Sequence, residues 1–173
     1  MPPLLGVFVS SQVVGLSAAG FFLASTMGSS PFNLIPIAER SNLSPATRAP
    51  LYKHMFFVRG RRAFIGSAFG GAAAFLVAYF NRPADIALEH SRALLGAAGA
   101  LLLAVLQTAI WMLPIYKALG DETHAGTEVQ AKERWDSLMK RFYRGNFVRV
   151  VLYTVAYALG IYGLASSRVA ALV

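Results

Sequence analysis

The sequence predicts an all-α protein, a transmembrane four-helix bundle with two long cytoplasmic loops, and three observations carry that expectation. The 173 residues are 56% hydrophobic and only 14% charged, where a soluble domain has about 25% charged residues. The charges leave four long gaps. The basic residues, 16 Lys and Arg against 8 Asp and Glu for a net charge of +8, gather on two of the connections between those gaps. The same arithmetic excludes other classes. A disordered chain has too few apolar residues to match it. With no cysteine, neither a disulfide scaffold nor a Cys-ligated zinc site can be built. A basic nucleic-acid domain carries its charge on an ordinary soluble composition, so no nucleic-acid partner is expected; the lipid bilayer is.

Taken in order, the charge-free runs are Leu4–Met27, Ala63–Phe80, Ala93–Tyr116 and Val150–Ser167. A helix rises about 1.5 Å per residue and needs roughly 20 residues to cross the hydrocarbon. The expected spans are therefore about 4–27, 60–80, 93–116 and 146–167, in one membrane domain over 1–173. The alternative, buried core helices of a soluble protein, fails on number, because a chain this short cannot bury four helices that are apolar all round. The first run lacks a basic leading region and exceeds a signal-peptide core, so it reads as a retained span. After it, Gly28 to Pro50 is a loop with Pro31, Pro36, Pro45 and Pro50, and Asn42-Leu43-Ser44 in it forms a glycosylation sequon. The stretch Tyr52 to Arg62 is an amphipathic, basic entry to the second span.

The second span carries Gly66 and Gly70 as a GxxxG pair, and the third spaces Gly96 and Ala100 alike; small residues at this interval let helices approach closely in lipid. Pro114 is expected to kink or end the third helix. Gly120 to Gly126 reads as a break, followed by a short polar helix from Thr127 to Arg144 and then the fourth span. Between spans one and two lie Arg40, Arg48, Lys53, Arg59, Arg61 and Arg62. Between spans three and four lie Lys117, Lys132, Arg134, Lys140, Arg141 and Arg144. The opposite side has Arg82, Arg92 and Arg168. This asymmetry orients both long loops to the cytoplasm, where Asn42 would stay unglycosylated, and favours anionic lipid.

Polar residues at membrane depth are the functional signal. On the fourth span, Asn146, Arg149, Tyr153 and Tyr157 recur at three- and four-residue spacing, which puts them on one helical face. Arg149 either snorkels to the headgroups or faces the bundle, and its aligned neighbours favour the bundle. The third span offers Gln107 and Trp111 on one face, then Tyr116; these are read against interhelical hydrogen bonding and an aromatic belt. His54 in the basic entry is a candidate proton acceptor, weighed against a solvated histidine. All eight carboxylates lie outside the spans, which disfavours a proton-coupled transporter. No phosphate loop, dinucleotide fingerprint or HExxH occurs. No metal and no tightly bound cofactor is expected.

The order of these parts resembles the anthrone oxygenase family, small four-span membrane proteins that include fungal noranthrone monooxygenases. The family's Trp-x3-Asn-x2-Arg pattern before an apolar helix corresponds to Phe142-Tyr143-Arg144-Gly145-Asn146-Phe147-Val148-Arg149, with Phe142 replacing the Trp. Its Pro-Thr-Asn followed by Leu corresponds to Pro114-Ile115-Tyr116-Lys117-Ala118-Leu119, where Pro114 and Leu119 match while Ile115 and Tyr116 depart. The resemblance implies a cofactor-independent monooxygenase of polyketide secondary metabolism, which oxidises a polycyclic aromatic anthrone to an anthraquinone with O2. In a eukaryote it implies the endoplasmic reticulum or another endomembrane. On those terms Arg149 and Asn146 serve the developing oxyanion, His54 is the first candidate for the base with Tyr153 as the alternative, and Trp111, Tyr116, Gln107, Phe142 and Tyr157 line the substrate site. The rival reading is a non-enzymatic tetraspan scaffold or accessory protein whose polar face meets a larger membrane partner, with Gly66 and Gly70 as contact points; a homo-oligomer is a separate expectation.

Overall fold

The computed structural model describes residues 3–28, 47–48, 50, 54, 61–84, 86–120 and 128–170. The sequon at Asn42, most of the proline-rich loop and basic entry, and the break at 121–126 lie outside the described residues. Helix α1 is Pro3–Gly28 and α2 is Arg61–Phe80. Helix α3, Leu88–Gln107, runs through a π-helical turn, Thr108–Met112, into α4, Leu113–Gly120. Helix α5 is Glu128–Ala170. No strand occurs among the described residues. Every backbone group inside lipid must be satisfied within its own segment, which is why such a composition folds as helices.

The rods pack in a ring: α1 on α2, α2 on α3, α3 on α5, and α5 back on α1. Three of them, Leu5–Met27, Leu88–Leu119 and Val129–Ala165, are long and apolar enough to cross a membrane, and Phe64–Phe80 is a shorter apolar helix. The chain is thus an all-helical membrane protein. The buried stripe is read off each helix. On α1 it is Phe8, Gln12, Gly15, Ala19, Phe22 and Thr26, a spacing of four and three that keeps one face to the neighbours. On α5 it runs from Ala131 through Trp135, Met139, Phe142, Asn146, Arg149, Tyr153 and Ala156 to Gly160 and Gly163.

Two sequence expectations change here. The polar helix and the fourth span are one continuous helix of 43 residues, about 65 Å long at 1.5 Å per residue. Its first third carries Lys132, Arg134, Lys140, Arg141 and Arg144 exposed on one side. On the other side Trp135, Met139 and Phe142 bury against Met112, Ile115, Tyr116 and Leu119, a second core beyond the main one. The buried stripe never breaks, so the helix never does. Pro114 likewise does not end its helix. The irregularity sits just before it, in the π turn, whose wider winding eases the clash between a proline ring and the carbonyl four residues back.

Close packing falls on other glycines than the GxxxG pair. A Cβ on Gly15 would meet Phe75 at 2.7 Å, and one on Gly160 would meet both Leu16 and Phe75 at 2.9 Å. The Phe75 ring thus wedges between α1 and α5 where both lack side chains. Gly96 packs against Leu159, but Gly66 and Gly70 have nothing within 4 Å and face outward. Replacing Gly15 or Gly160 by Leu is therefore expected to destabilise the bundle by about 1–3 kcal/mol through overpacking. Gly66→Leu and Gly70→Leu should stay within about 0.5 kcal/mol. Thermal unfolding of the detergent-solubilised protein separates the two pairs.

Candidate functional site

The site lies at one end of the ring, where α1 and α4 finish, α2 starts, and the polar part of α5 gives way to its apolar part. Arg149 is at its centre and only 6% exposed. Its Nη1 donates to Tyr116 Oη at 2.6 Å. Its Cζ stands 5.7 Å from the centroid of the Phe64 ring, within cation–π range. Tyr153, one turn further along α5, lies beside the guanidinium and stacks on Phe22 with centroids 5.0 Å apart and planes 16° from parallel. Phe22 in turn packs on Phe64 at 5.5 Å. Tyr116 packs against Phe142 at 6.0 Å. The cation is therefore enclosed by a phenol and an aromatic wall drawn from four helices.

Two amides frame this centre. Asn146, 3% exposed, donates from Nδ2 to the Thr26 carbonyl at 3.3 Å and so ties α5 to the end of α1. Gln107 donates from Nε2 to the Gly145 carbonyl at 3.1 Å and ties α3 to α5. Gly145 is needed for that approach, because a Cβ there would run into Met112 Sδ. Among the described residues no carboxylate balances the guanidinium: Glu89, Glu133 and Asp136 are all exposed, and Arg149 has no acidic partner. A buried cation without a counter-ion loses several kcal/mol of hydration. The phenol and the ring quadrupole replace only part of that, so the site favours any anion that reaches it.

Of the residues singled out by sequence, Asn146, Arg149 and Tyr153 share one buried face of α5, and Tyr116, Phe142 and Gln107 join them. Tyr157 is half-buried one turn deeper, its ring 3.2 Å from where a Cβ on Gly20 would stand. Two residues stand apart. Trp111 is 42% exposed and does not share the face of Gln107, which corrects the expectation from four-residue spacing. The π turn is the cause: it bonds Leu113 N–H to the Thr108 carbonyl, so the residue one turn after Gln107 is Met112, fully buried, and Trp111 rotates outward. His54 is exposed.

The sequence reading missed Phe22, Thr26, Phe64, Met112 and Gly145. For Phe22 and Thr26 a signal existed. They continue the stripe that includes Gln12, a lone amide in an apolar run. Phe64 and Met112 had none, since each looks like its apolar neighbours.

The fold and this centre define a class: a small helical membrane protein with a buried cation in an aromatic wall and, among the described residues, no carboxylate beside it. The model of the family described as anthrone oxygenase matches residues 53–159, and the chain belongs to that family. An oxygenase-like function follows from membership in general terms. No curated protein and no solved structure matches the chain.

Tyr116→Phe removes the phenol that satisfies Nη1 and leaves a charged donor buried. The expected cost is about 1–3 kcal/mol of unfolding free energy. Trp111→Ala, on the outer face, should change it by no more than about 0.5 kcal/mol. Denaturation in detergent followed by circular dichroism gives both values.

Proposed function

We propose that this protein is a membrane-embedded, cofactor-independent oxygenase that converts a polycyclic aromatic anthrone to the anthraquinone with O2. In a eukaryotic cell its compartment is the endoplasmic reticulum or another endomembrane. One observation carries the reading: Arg149 is a buried guanidinium, aimed by Tyr116 and walled by flat rings, with no carboxylate partner among the described residues.

The chemistry fits such a group. An anthrone has an acidic ring methylene, because the carbanion formed there spreads over the rings and onto the carbonyl oxygen. A fixed cation beside that oxygen stabilises the enolate, and a preorganised donor of this kind lowers a barrier by roughly 2.7–4 kcal/mol. The enolate passes an electron to O2, and the two radicals join at the ring carbon as a peroxide. Loss of water leaves the second carbonyl. One oxygen atom of O2 is then in the product, and the other departs as water with both methylene hydrogens. The substrate itself is the reductant.

Within this reading Arg149 holds the oxyanion, and Phe22, Phe64, Phe142 and Tyr116 offer ring faces to a flat substrate. Of the two candidate bases, Tyr153 stands beside the guanidinium, while His54 is exposed; the proton is assigned to the Tyr153 phenolate, the form that the adjacent Arg149 cation stabilises, and the phenol so formed is its carrier. Proximity to lipid suits a substrate that partitions into the bilayer. The second reading, a scaffold protein, draws support from Gly66 and Gly70, which face outward with open space. It predicts no turnover and loss of a co-purifying partner in Gly66→Leu.

O2 uptake and anthraquinone absorbance decide between them. Arg149→Ala should lower kcat/KM by about a hundredfold or more while helicity is retained. Tyr153→Phe should be slower than His54→Ala. Equal turnover by wild type and Arg149→Ala contradicts the assignment.

A further inference from the structure

The two amides that frame Arg149 have a fixed orientation. Each donates its N–H to a backbone carbonyl, Asn146 to Thr26 and Gln107 to Gly145. A carbonyl only accepts, so neither amide can be flipped. The atom each leaves unbonded is therefore its oxygen. Asn146 Oδ1 and Gln107 Oε1 are both buried without a hydrogen-bond partner, and so is Arg149 Nε.

Asn146 and Arg149 are three residues apart on the same face of α5. A buried acceptor and a buried donor thus stand one turn apart, and yet they do not pair. Each side chain is anchored elsewhere, Asn146 on α1 and Arg149 on α4. A buried amide oxygen can be satisfied only by an N–H or O–H group. An oxyanion alone answers Arg149 and leaves Asn146 unmet. A ligand with an O–H next to its carbonyl or enolate oxygen answers both at once.

We propose that Asn146, seconded by Gln107, is specificity-determining: its amide oxygen accepts a hydrogen bond from a ring hydroxyl adjacent to the oxygen held by Arg149. The inference rests on the oxygenase reading of the site and narrows its substrates to hydroxylated ring edges. An O-methyl ether at the same position presents only lone pairs to the amide oxygen and is rejected.

Binding under anaerobic conditions tests this without turnover, read by quenching of intrinsic fluorescence in detergent micelles. The probes are unsubstituted anthrone, the anthrone with hydroxyls at both positions flanking the carbonyl, and the bis-O-methyl ether of the latter. The wild type should bind the dihydroxy compound about tenfold or more tighter than either of the others, since a site built to pair a hydroxyl discriminates strongly against its absence. Asn146→Leu should bring the three affinities within about threefold of one another. Equal binding by the wild type overturns the proposal and leaves the oxygenase reading standing; a preference that survives Asn146→Leu does the same. Should that variant not fold, Gln107→Leu and the wild-type ratio decide. A wild type that binds no anthrone at all overturns both.

Discussion

Burying a guanidinium in an apolar bundle costs several kcal/mol unless other groups stand in for its water, and most of this protein's local architecture at that end answers to Arg149. Tyr116 supplies the neutral acceptor, Phe64 the ring face, and Tyr153 a second phenol within reach. Those three side chains come from α4, α2 and α5. Their convergence fixes how far each helix extends past the others. Arg149 also lies at the seam between the two cores: Tyr153 belongs to the membrane-depth cluster, and Tyr116 and Phe142 to the cluster on the polar extension. The second core is what brings the Tyr116 phenol back over the bundle.

The π turn is the local device that makes this possible. It inserts one residue into the winding of the third rod, swaps Met112 for Trp111 on the inner face and carries the chain past Pro114. Gly145 completes it by letting Met112 and Gln107 lie against the backbone of α5. Wide turns of this sort cost hydrogen-bond geometry and recur at functional sites. Here the turn separates two stretches of regular packing, and the candidate site lies against it.

The four rods and their order were legible in the sequence, because a run of eighteen or more residues without charge has few alternatives in a chain of this size. So was the face of α5, where Asn146, Arg149 and Tyr153 stand out against apolar neighbours. Rotation of the other helices was not. In a soluble bundle the polar face announces the buried one; in lipid both faces are apolar, so Phe64 and Met112 could not be told from Phe69 and Trp111, and only the lone Gln12 amide marked the stripe that holds Phe22. The π turn was also illegible, since the sequence from Thr108 to Met112 is compatible with an ordinary helix, and Trp111 was misplaced for that reason. Gly66 and Gly70 were read as a packing pair from spacing alone, while the glycines that admit Phe75 lie on separate helices and leave no local pattern.

On the proposed function, Arg149 holds an anion, and that anion is the enolate of the substrate. Its most direct measurement is the absorption spectrum of an anthrone bound to the wild-type protein at neutral pH without O2. The red-shifted band of the enolate is expected in the wild type, and the spectrum of the neutral ketone when Arg149 is replaced by Ala. A neutral ketone spectrum in the bound wild-type complex would contradict it.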